Sequence, residues 1–238
     1  MTFCILPRKC TLLGLLLTTL VAGQTPDPAP TLAPAQNSAV PEKQDKRVFG
    51  VFPNYRTADG NVPFAPISAR QKLVIGLKDS FDGPVYPVAG AFALLYQAED
   101  QNPSFGPGLR GYARRYGTAL GDQTIGNMMT ESIMPALLRQ DPRYFRIGSG
   151  RGSVLHRTAY ALSRIFVTRT DSGAPTFNFS EWLGNATAAT IGNAYYPDGR
   201  TASDTAQRLG IACATDAFSQ VMKEFWPDVK RKLSRKKD

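Results

Sequence analysis

Small residues recur at four-residue intervals on one segment after another of this chain. Gly117 and Gly121, then Gly184, Ala188 and Gly192, then Ala202, Ala206, Gly210 and Ala214 each share a helical face. Faces of this kind let helix backbones approach closely. Glycine costs about 1 kcal/mol relative to alanine inside a helix, so its repeated use points to a packing need. Gly76, Gly83 and Gly90, seven apart, extend the pattern. The feature therefore predicts an all-α fold, a compact helical bundle of about five glycine-rich, partly kinked helices.

Local signals place those helices. Ser68 is a cap for a segment reaching Ser80, after which Gly83, Pro84 and Pro87 interrupt before Val88 to Tyr96 resumes. A second segment runs from Gly108 to Arg139, kinked or restarted at Pro135 and ended by Asp141-Pro142. Ser153 to Thr168 carries Leu155, Ala159, Leu162 and Phe166 on one apolar stripe. Asn178 with Glu181 forms a capping box for a helix to Tyr195, and Thr201 with Asp204 repeats the device. The last helix presents Ile211, Ala214, Phe218, Val221, Met222 and Phe225 until Trp226-Pro227 disturbs its register. No segment alternates with period two for long, so a sheet is not required.

The first residues read as a secretory signal. Arg8 and Lys9 precede an uncharged run from Thr11 to Ala22, and Val21 and Gly23 suit a peptidase cleaving before Gln24. That run is shorter than the roughly 20 residues a spanning helix needs. Residues 1–23 are thus expected to be removed, 24–47 to form a disordered Pro/Ala-rich linker, 48–232 the helical domain and 233–238 a basic tail. Cleavage removes Cys4 and Cys10, leaving Cys213 without an intramolecular partner, so the core must supply the stability. It also removes two of 28 basic residues and none of 19 acidic ones, which leaves a net charge of +7. The excess favours anionic partners, either anionic lipid or an acidic envelope polymer, and export disfavours nucleic acid.

Three blocks carry a resemblance. Gly111 to Gly117 (GYARRYG), Gln140 to Arg146 (QDPRYFR) and Glu224 to Arg231 (EFWPDVKR) resemble recurring segments of an uncharacterised family of exported bacterial envelope proteins. The resemblance spans most of residues 70 to 232 and implies a helical, glycine-rich envelope domain. It implies no activity, substrate or catalytic residue.

Chemistry is sparse. His156 is the only histidine, so a multi-histidine metal site is excluded, and neither metal nor cofactor is expected. Gly106, Gly108 and Gly111 match a nucleotide-loop spacing without a preceding strand, which carries almost no weight. Asp122 and Glu131, nine apart, point to opposite faces of a straight helix and do not form a paired-carboxylate site. Glu131 does share a face with Asn127 and Gln123, a row able to line a polar cleft. Arg157 and Arg164, seven apart, and the terminal Lys230, Arg231 and Lys232 are candidate anion contacts. Structural pairing with Glu131, Asp141 or Glu181 competes for the two central arginines. Two functions fit these residues: a structural or binding protein at a membrane or anionic surface, and a periplasmic hydrolase built around Glu131.

Overall fold

The computed structural model describes residues 47–48, 52–60 and 63–235. The expected signal (1–23), the Pro-rich segment before Arg47 and the end of the basic tail (236–238) lie outside the described residues.

Two short strands, β1 (Arg47–Val48) and β2 (Phe52–Pro53), pair antiparallel, and β3 (Thr57–Asp59) follows. Ser68 then caps α1 (Ala69–Phe81): its hydroxyl accepts from the Gln71 amide at 3.3 Å, and the Gln71 side chain accepts from the Ser68 amide at 2.8 Å. The break at Asp82, Gly83 and Pro84 separates α1 from α2 (Val85–Ala98). Pro87 is tolerated because it stands in the first turn of α2, where its missing N–H has no helical acceptor.

A 3-10 turn (Pro103–Phe105) leads into α3 (Gly108–Asn127), a π-helical turn (Met128–Ile133) and the short α4 (Met134–Leu137). The widened turn lies just ahead of Pro135, at the point where the sequence predicts a kink. Next come β4 (Gln140–Asp141), β5 (Tyr144–Arg146), α5 (Val154–Ser163), β6 (Val167–Thr170), β7 (Pro175–Phe177), α6 (Phe179–Gly192) and α7 (Ala202–Arg235).

The mainly helical expectation holds, and short strands add to it. The molecule is mainly helical, with six helices of ten residues or more among the described residues, but it carries three small sheets. β6 pairs antiparallel with both β4 and β7, and β3 runs parallel to β5 with Thr57 opposite Tyr144. Strands of two to four residues are too short for alternation to register as a pattern. For the same reason α5 stops at Ser163 rather than Thr168: Val167 to Thr170 pair across the sheet instead of continuing the helix. A second correction concerns α7, which runs through Pro227 to Arg235 as one helix of 34 residues, about 50 Å long.

Glycine packing is confirmed at particular positions only. A Cβ on Gly184 would stand 3.0 Å from the Thr130 Cα and 3.1 Å from the Met129 carbonyl carbon, and Gly76 faces Ser132 just as closely. α6 and α1 thereby close on the π-helical turn from two sides. Gly117, Gly121 and Gly210 face open space.

The interior is unusually polar. Arg56, Lys72, Asp79, Arg115, Glu131, Asp141, Arg157, Glu181, Lys223 and Glu224 are all buried, while Leu73, Phe92, Leu94, Leu109, Leu155, Ile211 and Phe218 are exposed. Buried charges persist where they are paired and hydrogen-bonded. Lys72 Nζ donates to the Pro135 carbonyl at 3.1 Å and to Asp171 at 2.6 Å. Arg115 donates to the Gln101 and Gly106 carbonyls, both at 2.8 Å, and so ties the 3-10 turn to α3.

Candidate functional site

β3 and its preceding turn carry Arg56 into the centre of the bundle. There its Nη1 stands 3.2 Å from Glu131 Oε1 and its Nη2 3.7 Å from Asp216. Four elements converge on it: α1 brings Asp79, the π-helical turn Glu131, α6 Glu181, and α7 Asp216 and Lys223. Burial works against the Arg56 charge, but Glu131, Asp216, Glu181 and Asp79 more than offset it and hold the guanidinium ionised.

The carboxyls respond in the opposite sense. Burial first, then the charge of Asp79, push Glu131 up to about 8, and the attraction of Arg56 and Lys223 only partly reverses this. Glu181 is also raised, by burial and by Asp216 beside it. Burial and the nearby Arg56 charge lower Lys223 to about 8. The Asn185 amide bridges Glu181 at 3.2 Å and Asp216 at 3.0 Å, tying α6 to α7 beneath the arginine. Among the described residues, Arg56 Nε and Glu131 Oε2 are buried without a hydrogen-bond partner.

Above this cluster lies a cleft of about 450 Å³. Gln123, Asn127 and Glu131 descend into it from exposed rim to half-buried wall to buried floor, joined there by Asp79 and Lys223. Val85, Val88 and Phe92 of α2 form one apolar wall, with Phe218 and Met222 of α7 opposite. The volume lies in the range of small-molecule sites, and the arrangement is one of apolar walls with a few convergent polar groups.

The structure thus gathers the predicted Gln123, Asn127 and Glu131 into one cavity and adds partners that sequence reasoning missed. Arg56 lies in a segment with no helical or strand signal. Asp79 and Lys223 give no signal beyond being charged residues within helices, and Glu181 is legible only as a capping residue and a candidate arginine partner.

The candidate anion contacts fare differently. Arg157 is buried, and its partners are Glu224 at 2.8 Å and Asp228 at 2.6 Å, so it is structural and the suggested Glu131, Asp141 or Glu181 are not its mates. Glu224 also accepts from the Tyr144 hydroxyl and the Ile147 and Gly148 amides, which locks the strand β5 region onto α7. Arg164 stacks over the Tyr160 ring and donates to the Ser163 hydroxyl. Arg231 pairs with Asp228 at 2.6 Å and Ser149 at 2.8 Å. Lys230 and Lys232 are exposed on α7. Asp122 is distant in role from Glu131, its carboxylate accepting from the Tyr195 and Tyr196 hydroxyls.

His156 is exposed in the first turn of α5, its backbone amide capped by Ser153. Burial pushes the Cys213 thiol up to about 11, so it packs as a small neutral group. Among the described residues no cluster of His, Cys, Asp and Glu is arranged to hold a metal ion, since Arg56 itself fills the space between the carboxyls.

Comparison with known proteins adds no relative: no family model, no curated protein and no solved structure matches the chain.

Proposed function

We propose that this chain is an exported envelope protein that binds a small neutral amphiphile in the cleft between α2, α3 and α7. The signal-like first residues and the three blocks resembling exported bacterial proteins support the address. One observation carries the binding role: apolar walls and a buried hydrogen-bonding floor meet in a single cavity.

The charge balance of the floor sets the ligand class. In the floor the cations Arg56 and Lys223 lie among the acids Asp79, Glu131 and Asp216, so the charged groups there face one another. A floor whose charges are already paired with one another favours a hydroxyl or carbonyl head over an ion. Arg56 Nε is a donor for such a head, and Val85, Val88, Phe92 and Met222 accept a short acyl chain.

Calorimetric titration with 1-monodecanoylglycerol tests this reading. Saturable binding is expected, abolished by Val88→Trp, which fills the apolar end, and weakened by Glu131→Ala. Equal binding by all three proteins would remove the cleft as the site.

A second reading, hydrolysis, is favoured by the proton that Glu131 holds beside Asp79. Glu131 would protonate the leaving oxygen of an ester while Asp79 takes a proton from the attacking water. Release of decanoate from the same compound, lost in Glu131→Gln, distinguishes an enzyme from a binding protein.

A further inference from the structure

The outer face of α7 carries an apolar stripe that the bundle does not cover. At 100° per residue, Ile211, Phe218, Met222, Val229 and Leu233 fall within about 60° of one another. Ile211, Phe218 and Leu233 are 58%, 64% and 58% exposed, and Val229 is 37% exposed. The stripe covers about 33 Å of helix, from Ile211 to Leu233, at 1.5 Å per residue.

Charge on α7 is segregated around it. Asp216 and Glu224 face inward to Asn185 and Arg157, Asp228 turns to Arg157 and Arg231, and Asp204 caps the first turn through Thr201. Asp216, Glu224 and Asp228 are thus turned away from the stripe, and Asp204, on the same side of the helix, lies ahead of Ile211 and is tied to Thr201. Lys230 and Lys232, both exposed, flank it at about 100° on one side and about 60° on the other. Apolar residues edged by lysines suit a bilayer carrying anionic headgroups: the side chains enter the acyl boundary and the ammonium groups meet the phosphates. A nucleic-acid backbone matches the lysines but offers nothing to the four exposed apolar side chains.

The stripe also includes one lip of the cleft. Phe218 and Met222 line its mouth, and Phe92, 48% exposed, stands on the other lip. Among the described residues no helix is long and apolar enough to cross a membrane, so contact through this face is lateral.

We propose that the outer stripe of α7 docks on an anionic lipid bilayer and sets the mouth of the cleft against it, so that the amphiphile is drawn from the bilayer itself. The source of the ligand rests on the cleft reading, whereas docking stands without it. Flotation of the full chain, purified after export, with vesicles of phosphatidylcholine alone or mixed with phosphatidylglycerol tests the proposal. The protein is expected to float with the mixed vesicles only. Ile211→Ser with Leu233→Ser should lower vesicle affinity at least about tenfold with an unchanged circular dichroism spectrum. Lys230→Gln with Lys232→Gln should erase the preference for anionic vesicles, and Leu109→Ser, an exposed site on α3, should change nothing. Val88→Trp should float as the wild type while losing monodecanoylglycerol, so failure of the cleft and failure of docking give different results. Undiminished flotation of the Ile211/Leu233 variant overturns the proposal. So does a wild type that ignores vesicles but forms a dimer broken by the same substitutions, or that binds duplex DNA through the two lysines instead.

Discussion

Glu131 Oε1 lies 3.2 Å from Arg56 Nη1, yet burial and the neighbouring Asp79 hold the Glu131 carboxyl above its ordinary range. The pair is therefore not a simple ion pair. Its environment stores a proton near neutral pH at the floor of a cleft, where binding or acid–base chemistry can use it.

Stability should depend on that proton. Unfolded, Glu131 titrates at 4.5; folded, at about 8. Between these values the folded protein keeps the proton that the unfolded chain has lost, so stability falls as pH rises and levels off above the folded value. Urea unfolding is expected to give a higher free energy at about pH 5 than at about pH 8, a slope that Glu131→Gln reduces. A wild type with no slope across this window would contradict the placement of the proton.

Removing the acceptor at the β5–α7 junction should be far costlier than removing a surface charge. Glu224 is fully buried and serves Tyr144, Ile147, Gly148 and Arg157 together. Glu224→Ala leaves the Arg157 guanidinium with only Asp228 as a charged partner and is expected to cost about 3–5 kcal/mol. Denaturant titration measures this, and a loss below about 1 kcal/mol would show the network to be dispensable.

Two glycines of the repeated pattern should respond in opposite directions. Gly184→Ala drives a methyl against the Thr130 and Met129 backbone and should destabilise by about 1–3 kcal/mol. Gly210→Ala, in open space within α7, should stabilise by about 1 kcal/mol. Thermal melts of both variants check the pair, since about 1 kcal/mol moves Tm by about 2–4 °C in a domain of this size.

The capping box at Ser68 gives a local test. Ser68→Ala removes the hydroxyl that accepts from the Gln71 amide and should cost about 1 kcal/mol. Because α1 carries Asp79 and Lys72, faster amide exchange along the helix should accompany the loss. Unchanged exchange would mean that packing alone holds the first turn.

The sequence by itself determined where the helices lie and where the capped ones begin. Ser68, Asn178, Thr201 and Asp204 are read locally because a cap satisfies amides three residues away. It also determined the row of Gln123, Asn127 and Glu131, which helical periodicity sets on one side of α3 and the π-helical turn that continues it. The tertiary structure alone decided the rest. Arg56 became the centre of the site because a three-residue strand paired with Tyr144 to Arg146, a contact across more than eighty residues that no local pattern encodes. Arg157 became structural because Glu224 and Asp228 arrived from α7, and Pro227 passed inside that helix because packing against α5 outweighed a lost hydrogen bond. Spacing along the chain fixes which side chains share a face. Which faces meet, and so which buried charges must share a proton, depends on contacts between residues far apart in sequence.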